Sequence, residues 1–251
     1  MKSLIYFILL PVFILSCSKS GTSYVNNPGS PDYLHTRPVG ASANELLAGD
    51  KYQSLKVEFL YMPGFAPDPA AIDHLKIFLG NLLNKPSGIS VVTKEIPASS
   101  KPSMTINDLV DIERAQRTAF TTGSQIAISI LYTNGNFVNP NTLGVAYRNT
   151  SIAIFGKMIA DNSGGIGQTS PTKLEATILE HEAGHLLGLV DLGSEMQTPH
   201  KDSNQGNHCN DSDCLMYYAA ETTDILGFLL TGNIPTLDAN CQTDLRANGG
   251  R

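Results

Sequence analysis

Residues 170–188 read Ser170-Pro171-Thr172-Lys173-Leu174-Glu175-Ala176-Thr177-Ile178-Leu179-Glu180-His181-Glu182-Ala183-Gly184-His185-Leu186-Leu187-Gly188. Ser170 suits a helix N-cap, Pro171 the first helical position, and Glu175 falls near the first turn, so the stretch is predicted as a helix. It contains the pattern H-E-x-x-H. His181 and His185 lie one turn apart, and their imidazoles project from one face toward a single divalent ion. Glu182 stands beside them, where a carboxylate can polarise a water at the ion and take its proton. With 6 His and 9 Glu in 251 residues, random placement would produce the pattern roughly 0.005 times per chain. The bland alternatives are side chains that merely decorate a helix, and an ion that is bound but inert. Gly188 can take a positive φ, which would stop the helix and turn the chain back toward the ion.

Working outward toward the amino terminus, strands and helices alternate. Val57 to Tyr61 alternates as a strand stopped by Met62-Pro63-Gly64,. Asp68 to Asn84 places Ile72, Leu75, Phe78, Leu79, Leu82 and Leu83 on one helical face,. Gly88 to Ile96 is β-branched and strand-like, Ile106 to Phe120 has helical spacing, and Gln125 to Tyr132 is a strand buried on at least one face,. Leu143 to Tyr147 and Ser151 to Phe155 are two further extended runs around the turn-like Arg148-Asn149-Thr150, and a Gly/Ser/Asn loop from Asp161 to Gln168 leads into the motif helix,. The fold class is α/β (α+β), a mixed twisted sheet with packed helices, followed by an irregular carboxy-terminal part from about Leu189.

His181, Glu182, His185 and Gly188, together with Cys214-Leu215-Met216-Tyr217-Tyr218, resemble the H-E-x-x-H-x-x-G helix and the Met-turn of metzincin metallopeptidases. By that resemblance Met216 forms a hydrophobic floor under a catalytic Zn²⁺, Tyr218 matches a tyrosine that some members place near the zinc, and Glu182 is the general base. The third protein ligand has two candidates. Asp191, six residues after His185, completes the pattern of snapalysin-like peptidases. His208-Cys209, four residues and then Cys214-Leu215-Met216 resembles the tail of archaemetzincins, displaced by an insertion such as leishmanolysin-like members carry. His208 is preferred, because imidazole is the commoner ligand and its match covers more residues. The resemblance spans about residues 51–251 and implies that an edge strand, best matched by Gly144, Val145 and Ala146 in Leu143–Tyr147, pairs with an extended peptide substrate.

His200, like His35 and His74, reads as a surface or hydrogen-bonded histidine. In an oxidising compartment Cys209 and Cys214 would close a small disulfide loop, leaving Cys241 over. A second, structural zinc is expected to be absent, since Cys241-Gln242-Thr243-Asp244 stands where the resembling family has C-x-x-C. The Asp and Asn residues between Asp202 and Asp213 lack EF-hand spacing and are not expected to hold Ca²⁺.

The amino terminus reads as an address. Lys2 followed by the apolar run Leu4–Leu15 is too short to span a bilayer core and reads as a signal peptide over residues 1–16,. Ile14-Leu15-Ser16-Cys17 resembles the lipobox of bacterial lipoproteins, which implies acylation of Cys17 and a lipid anchor in the bacterial cell envelope,. Residues 17–50 read as a lipidated tether, rich in Ser, Gly, Asn and Pro up to about residue 40, of which part can pack on the domain as an extended arm; the zinc peptidase domain would occupy 51–251.

Composition narrows the remaining choices. A 41% hydrophobic, 16% charged chain of this length builds one globular core, or two small ones,. A net charge of -6 with scattered basic residues argues against nucleic acid or a charge-held membrane surface, and 4 Cys are too few for a disulfide scaffold,. The function expected is a membrane-anchored, monomeric zinc endopeptidase acting on polypeptides. The rivals are a zinc-containing surface lipoprotein that binds without turnover, and a metal-dependent hydrolase of non-peptide amides.

Overall fold

The computed structural model describes residues 33–226, 229 and 232–251. Its centre is a five-stranded sheet in the order β2-β1-β4-β7-β6, built from β1 (Ser54–Tyr61), β2 (Ile89–Glu95), β4 (Gln125–Thr133), β6 (Gly144–Arg148) and β7 (Ser151–Phe155). β1, β2, β4 and β7 run parallel, while β6 returns antiparallel on β7 and forms the edge. Of the three interior strands β1, β4 and β7, the runs Gln125–Thr133 and Ser151–Phe155 are almost wholly buried, as expected where helices and loops cover a sheet,. A two-stranded sheet pairs β3 (Ser103–Met104) with β5 (Asn136–Phe137). Among the described residues no helix is long and apolar enough to cross a membrane.

The helix α5 (Pro171–Leu186) runs through the middle, and every residue from Leu174 to Leu186 is buried. Ser170 caps it by accepting from the Lys173 N–H at 3.2 Å, with Pro171 in the first turn, as its sequence predicts. Its start is tied to that of α2 (Pro69–Leu82) through Glu175, which accepts from the Asp68 N–H at 2.9 Å and the Tyr132 hydroxyl at 2.7 Å. That junction fixes the depth and rotation of α5, and so the direction in which its histidines point.

The boundary between tether and domain moves. Residues 33–50 pack on the domain, as the arm allowed for within the 17–50 segment, so the folded unit begins before residue 51. α1 (Ala43–Leu47) buries Leu46 and Leu47, and Lys85 donates to the carbonyls of Glu45 and Tyr52 at 3.0 and 2.8 Å, as well as that of Ala48. His35 is buried, receiving the Thr121 N–H at 3.1 Å and lying 2.8 Å from Thr150 Oγ1. Residues 1–32, including the signal peptide, Cys17 and the first part of the tether, lie outside the described residues.

Local patterning also missed three helices. α1 is one turn too short to show periodicity. α3 (Ile106–Gln116) was predicted, but α4 (Gly156–Asn162), running straight out of β7, was not. The carboxy-terminal part, expected to be irregular, contains a regular helix over Ala239–Ala247, capped by Asp238 through the Cys241 N–H at 2.8 Å.

Candidate metal centre and cleft

The last two turns of α5 carry His181, Glu182 and His185. Gly188 has φ +79°, and Val190 and Asp191 also sit in the left-handed region, so the helix ends sharply and the chain turns away,. A small hairpin brings it back: Asp202 N–H donates to His208 O, Asn210 N–H to His200 O and Cys209 N–H to Met216 O, each at 2.8 Å. The insertion thus returns His208 to the face of α5 occupied by the motif histidines.

His181, His185, His208 and Glu221 each offer an atom within 4.8 Å of the others. The Nε2 atoms of His181 and His185 are 3.1 Å apart, and the His208 ring lies 5.3 and 5.1 Å from theirs, centroid to centroid. Zinc–nitrogen bonds of tetrahedral geometry place ligand nitrogens about 3.3 Å apart. His181 Nδ1 donates to Leu215 O at 2.7 Å and His208 Nδ1 to Gln205 O at 2.6 Å, which leaves each Nε2 lone pair facing inward,. His208 Nε2 is buried without a hydrogen-bond partner. Burial, reinforced by His181, holds His185 well below the ordinary imidazole range and therefore neutral. Three imidazoles aimed at one point, one of them with a buried, partnerless Nε2, fit a zinc ion,.

Asp191 is not part of this cluster. Its carboxylate is 62% exposed and pairs with Lys201 at 3.0 Å, so the alternative third ligand is corrected to a surface ion pair. The left-handed turn at Val190–Asp191 points the side chain outward, which spacing alone does not reveal.

Glu182 is fully buried. Its Oε2 accepts from the Ala146 N–H at 2.6 Å, and its Oε1 has no partner among the described residues. Burial first, and then the charge of Glu221, pushes its carboxyl well above the usual range, so a cation beside it is needed to keep it ionised,. Gly144 crosses α5 so closely that a side chain there would meet Ile178 and Glu182. Gly144, Val145 and Ala146 lie on the edge strand, as expected, although the Ala146 amide is taken by Glu182.

Met216 is buried with its thioether against Gly184, where any side chain would collide with it. This explains the Gly inside the motif and places Met216 under the histidines. Tyr218 opens the 3-10 turn Tyr218–Glu221, with its ring 4.7 Å from that of Tyr217. Three residues further on, Glu221 reaches the histidines: Oε2 is 3.8 Å from His181 Nε2 and 3.9 Å from His185 Nε2, and Oε1 is 3.6 Å from His208 Nε2. Burial would raise its carboxyl, but the histidines, His181 first, hold it below the usual carboxylate range. Sequence reasoning missed Glu221, a lone acid in Tyr217-Tyr218-Ala219-Ala220-Glu221 with no spacing signal.

A second cluster corrects the cysteine assignments. Cys209, Cys214 and Cys241 are free and buried, so the Cys209–Cys214 disulfide is not formed. His200, Cys209, Asp238 and Cys241 form a second group able to hold a metal. Cys214 Sγ lies 3.7 Å from Cys241 Sγ, and His200 Nδ1 lies 3.4 Å from Cys209 Sγ. A disulfide needs about 2.05 Å, whereas thiolates sharing tetrahedral zinc sit about 3.8 Å apart. Hydrogen bonds from Cys214 and Cys241 push the Cys209 thiol down, while that of Cys214 rises to about 12. His200, predicted as an ordinary histidine, donates through Nε2 to Asp244 at 2.7 Å, the support a metal-ligating imidazole needs,. The expectation against a second metal site rested on the missing C-x-x-C; His200 stands in from outside that motif. Asp202 and Asp211 instead accept the backbone N–H groups of Asn204 and Asp213.

Sheet order, motif helix and histidine cluster together define an archaemetzincin-like α/β fold with a metal-competent His-His-His-Glu site. Among solved structures, the chain is similar to the archaemetzincin of Methanopyrus kandleri, with a TM-score of 0.50 and 16% identity over 78% of this chain and 96% of that one. No protein-family model matches the chain, and no curated protein matches it.

Proposed function

We propose that the protein is a zinc metalloendopeptidase. The observation that carries this reading is the convergence of His181, His185 and His208 beside a buried acid, Glu182, which also touches the edge strand of the sheet. When bound, zinc would supply Lewis-acid polarisation of a carbonyl and acidify a water. The protein's own groups would do the rest. The three imidazoles hold the ion, Met216 and Gly184 set the floor beneath them, and β6 offers backbone groups to an extended peptide. The partnerless Oε1 of Glu182 is the atom that takes a proton from the attacking water and later returns it to the leaving amine,.

The test is digestion of a broad peptide library by the zinc-loaded chain. Glu182→Gln should retain zinc and lose about 10³-fold in turnover; full turnover in that variant removes Glu182 from the role. The second cluster supports a structural zinc held by His200, Cys209, Asp238 and Cys241, with Cys214 beside Cys241. Attachment to the bacterial envelope through Cys17 rests on the lipobox resemblance, and Cys17→Ala should release the chain from membranes. A second reading, a zinc-binding module without turnover, has one observation in its favour: Glu221 makes four protein ligands, the number a closed structural site uses,.

A further inference from the structure

The cleft combines two features that do not belong together. An open hydrolytic site has three protein ligands and a base; a closed structural site has four ligands and needs none. Here Glu182 provides the base and Glu221 the fourth ligand.

Glu221 arrives on a segment that also covers the sheet edge. Leu143 N–H donates to Glu221 O at 2.9 Å, Thr142 and Thr222 form an antiparallel bridge, and Thr223 N–H donates to Asn141 O at 3.1 Å. These are the backbone groups leading into β6, where an incoming peptide strand would pair. The segment therefore occupies a ligand position and part of the strand edge at once. Its hold is light: within the 3-10 turn only Ala220 is buried, and the Glu221 side chain remains 27% exposed. The Glu221 oxygens lie 3.6–3.9 Å from the three imidazole nitrogens, beyond hydrogen-bond length but suited to atoms that share an ion,. Meanwhile Glu182 Oε1 is left buried without a partner.

Resting on the peptidase reading of this site, we propose that Glu221 is a displaceable self-ligand that keeps the site latent. A peptide adding to the Asn141–Leu143 edge strips Thr222 and Thr223 from it and withdraws Glu221, freeing the fourth position. Opening is thus coupled to binding of an extended polypeptide, and small amides that make no strand contacts leave the latch shut.

The full chain loaded with Co²⁺ tests this, with acetohydroxamate as a small chelating probe and the visible absorption of the cobalt as readout. Glu221→Gln should change the cobalt spectrum and bind the probe about tenfold more tightly than wild type, because a closed fraction no longer competes. Thr223→Pro, which removes the N–H bond to Asn141 and leaves Glu221 in place, should shift probe affinity in the same direction and guards against misfolding of the first variant. Unchanged spectra and affinities within twofold across all three proteins would overturn the latch. A shift in probe affinity with no peptide cleavage by any form would leave the latch standing and remove the peptidase reading.

Discussion

The two candidate metal clusters lie on either side of the Met-turn and differ in what surrounds them. The His181/His185/His208 cluster sits under the sheet edge beside a partnerless acid, and its fourth ligand rides on a lightly held turn. The His200/Cys209/Asp238/Cys241 cluster has two thiols with that of Cys214 adjacent, an imidazole braced by Asp244, and a capped helix that carries Cys241. As proposed, one arrangement opens and the other stays shut. On the proposed readings, ligand type and ligand support are what separate a reacting site from a stapling one, even when both are buried.

Removing Cys241 should have the largest structural effect. Cys241→Ser is expected to lower metal content from two ions per chain to one and to cost several kcal/mol of stability, read by elemental analysis and thermal unfolding. His181→Ala should remove the cleft ion with a smaller change in melting, and an equal loss from both variants would erase the contrast. Within the cleft, His208→Ala should weaken zinc at least about 100-fold, while Asp191→Ala changes it less than twofold, as measured by chelator competition. Comparable losses would restore Asp191 as a ligand.

Glu175 provides a baseline outside both clusters. Burial first raises its carboxyl from 4.5 to about 7, so the folded chain holds a proton that the unfolded chain releases. Stability attributable to this group is full below about pH 4.5 and declines as pH rises toward 7. Glu175→Gln should flatten that decline by about 2–3 kcal/mol, as followed by denaturant titrations across the window. The smallest effect is expected for Asp244→Asn, about tenfold weaker metal in the thiol cluster with the cleft ion unchanged.

Much of this was legible before the structure. The order β1, α2, β2, α3, β4, β6, β7, α5 follows from periodicity, whereas α1, α4 and the short β3–β5 pair do not; the capped start of α5 follows from Ser170 and Pro171, because these are local preferences. The pair His181 and His185 was legible because a helix converts spacing into direction. His208 was preferred over Asp191 on residue type and tail pattern, and the structure places His208 beside the pair while Asp191 pairs with Lys201. The thiol cluster was misread for a physical reason. His200 and Cys241 are 41 residues apart, and only the return of the hairpin and the docking of the carboxy-terminal helix bring them together.

The sequence by itself determined most of the strand and helix order, though not α1, α4 or the carboxy-terminal helix, and which two imidazoles share a face, since both depend on backbone geometry over a few residues. Tertiary packing decided the rest: that Glu221 as well as His208 joins that face, that the chain leading into β6 bridges to Thr222 and Thr223, and that the cysteines gather near a histidine without closing a disulfide. Those outcomes depend on long-range burial of α5 and on chain reversals whose direction no short window encodes.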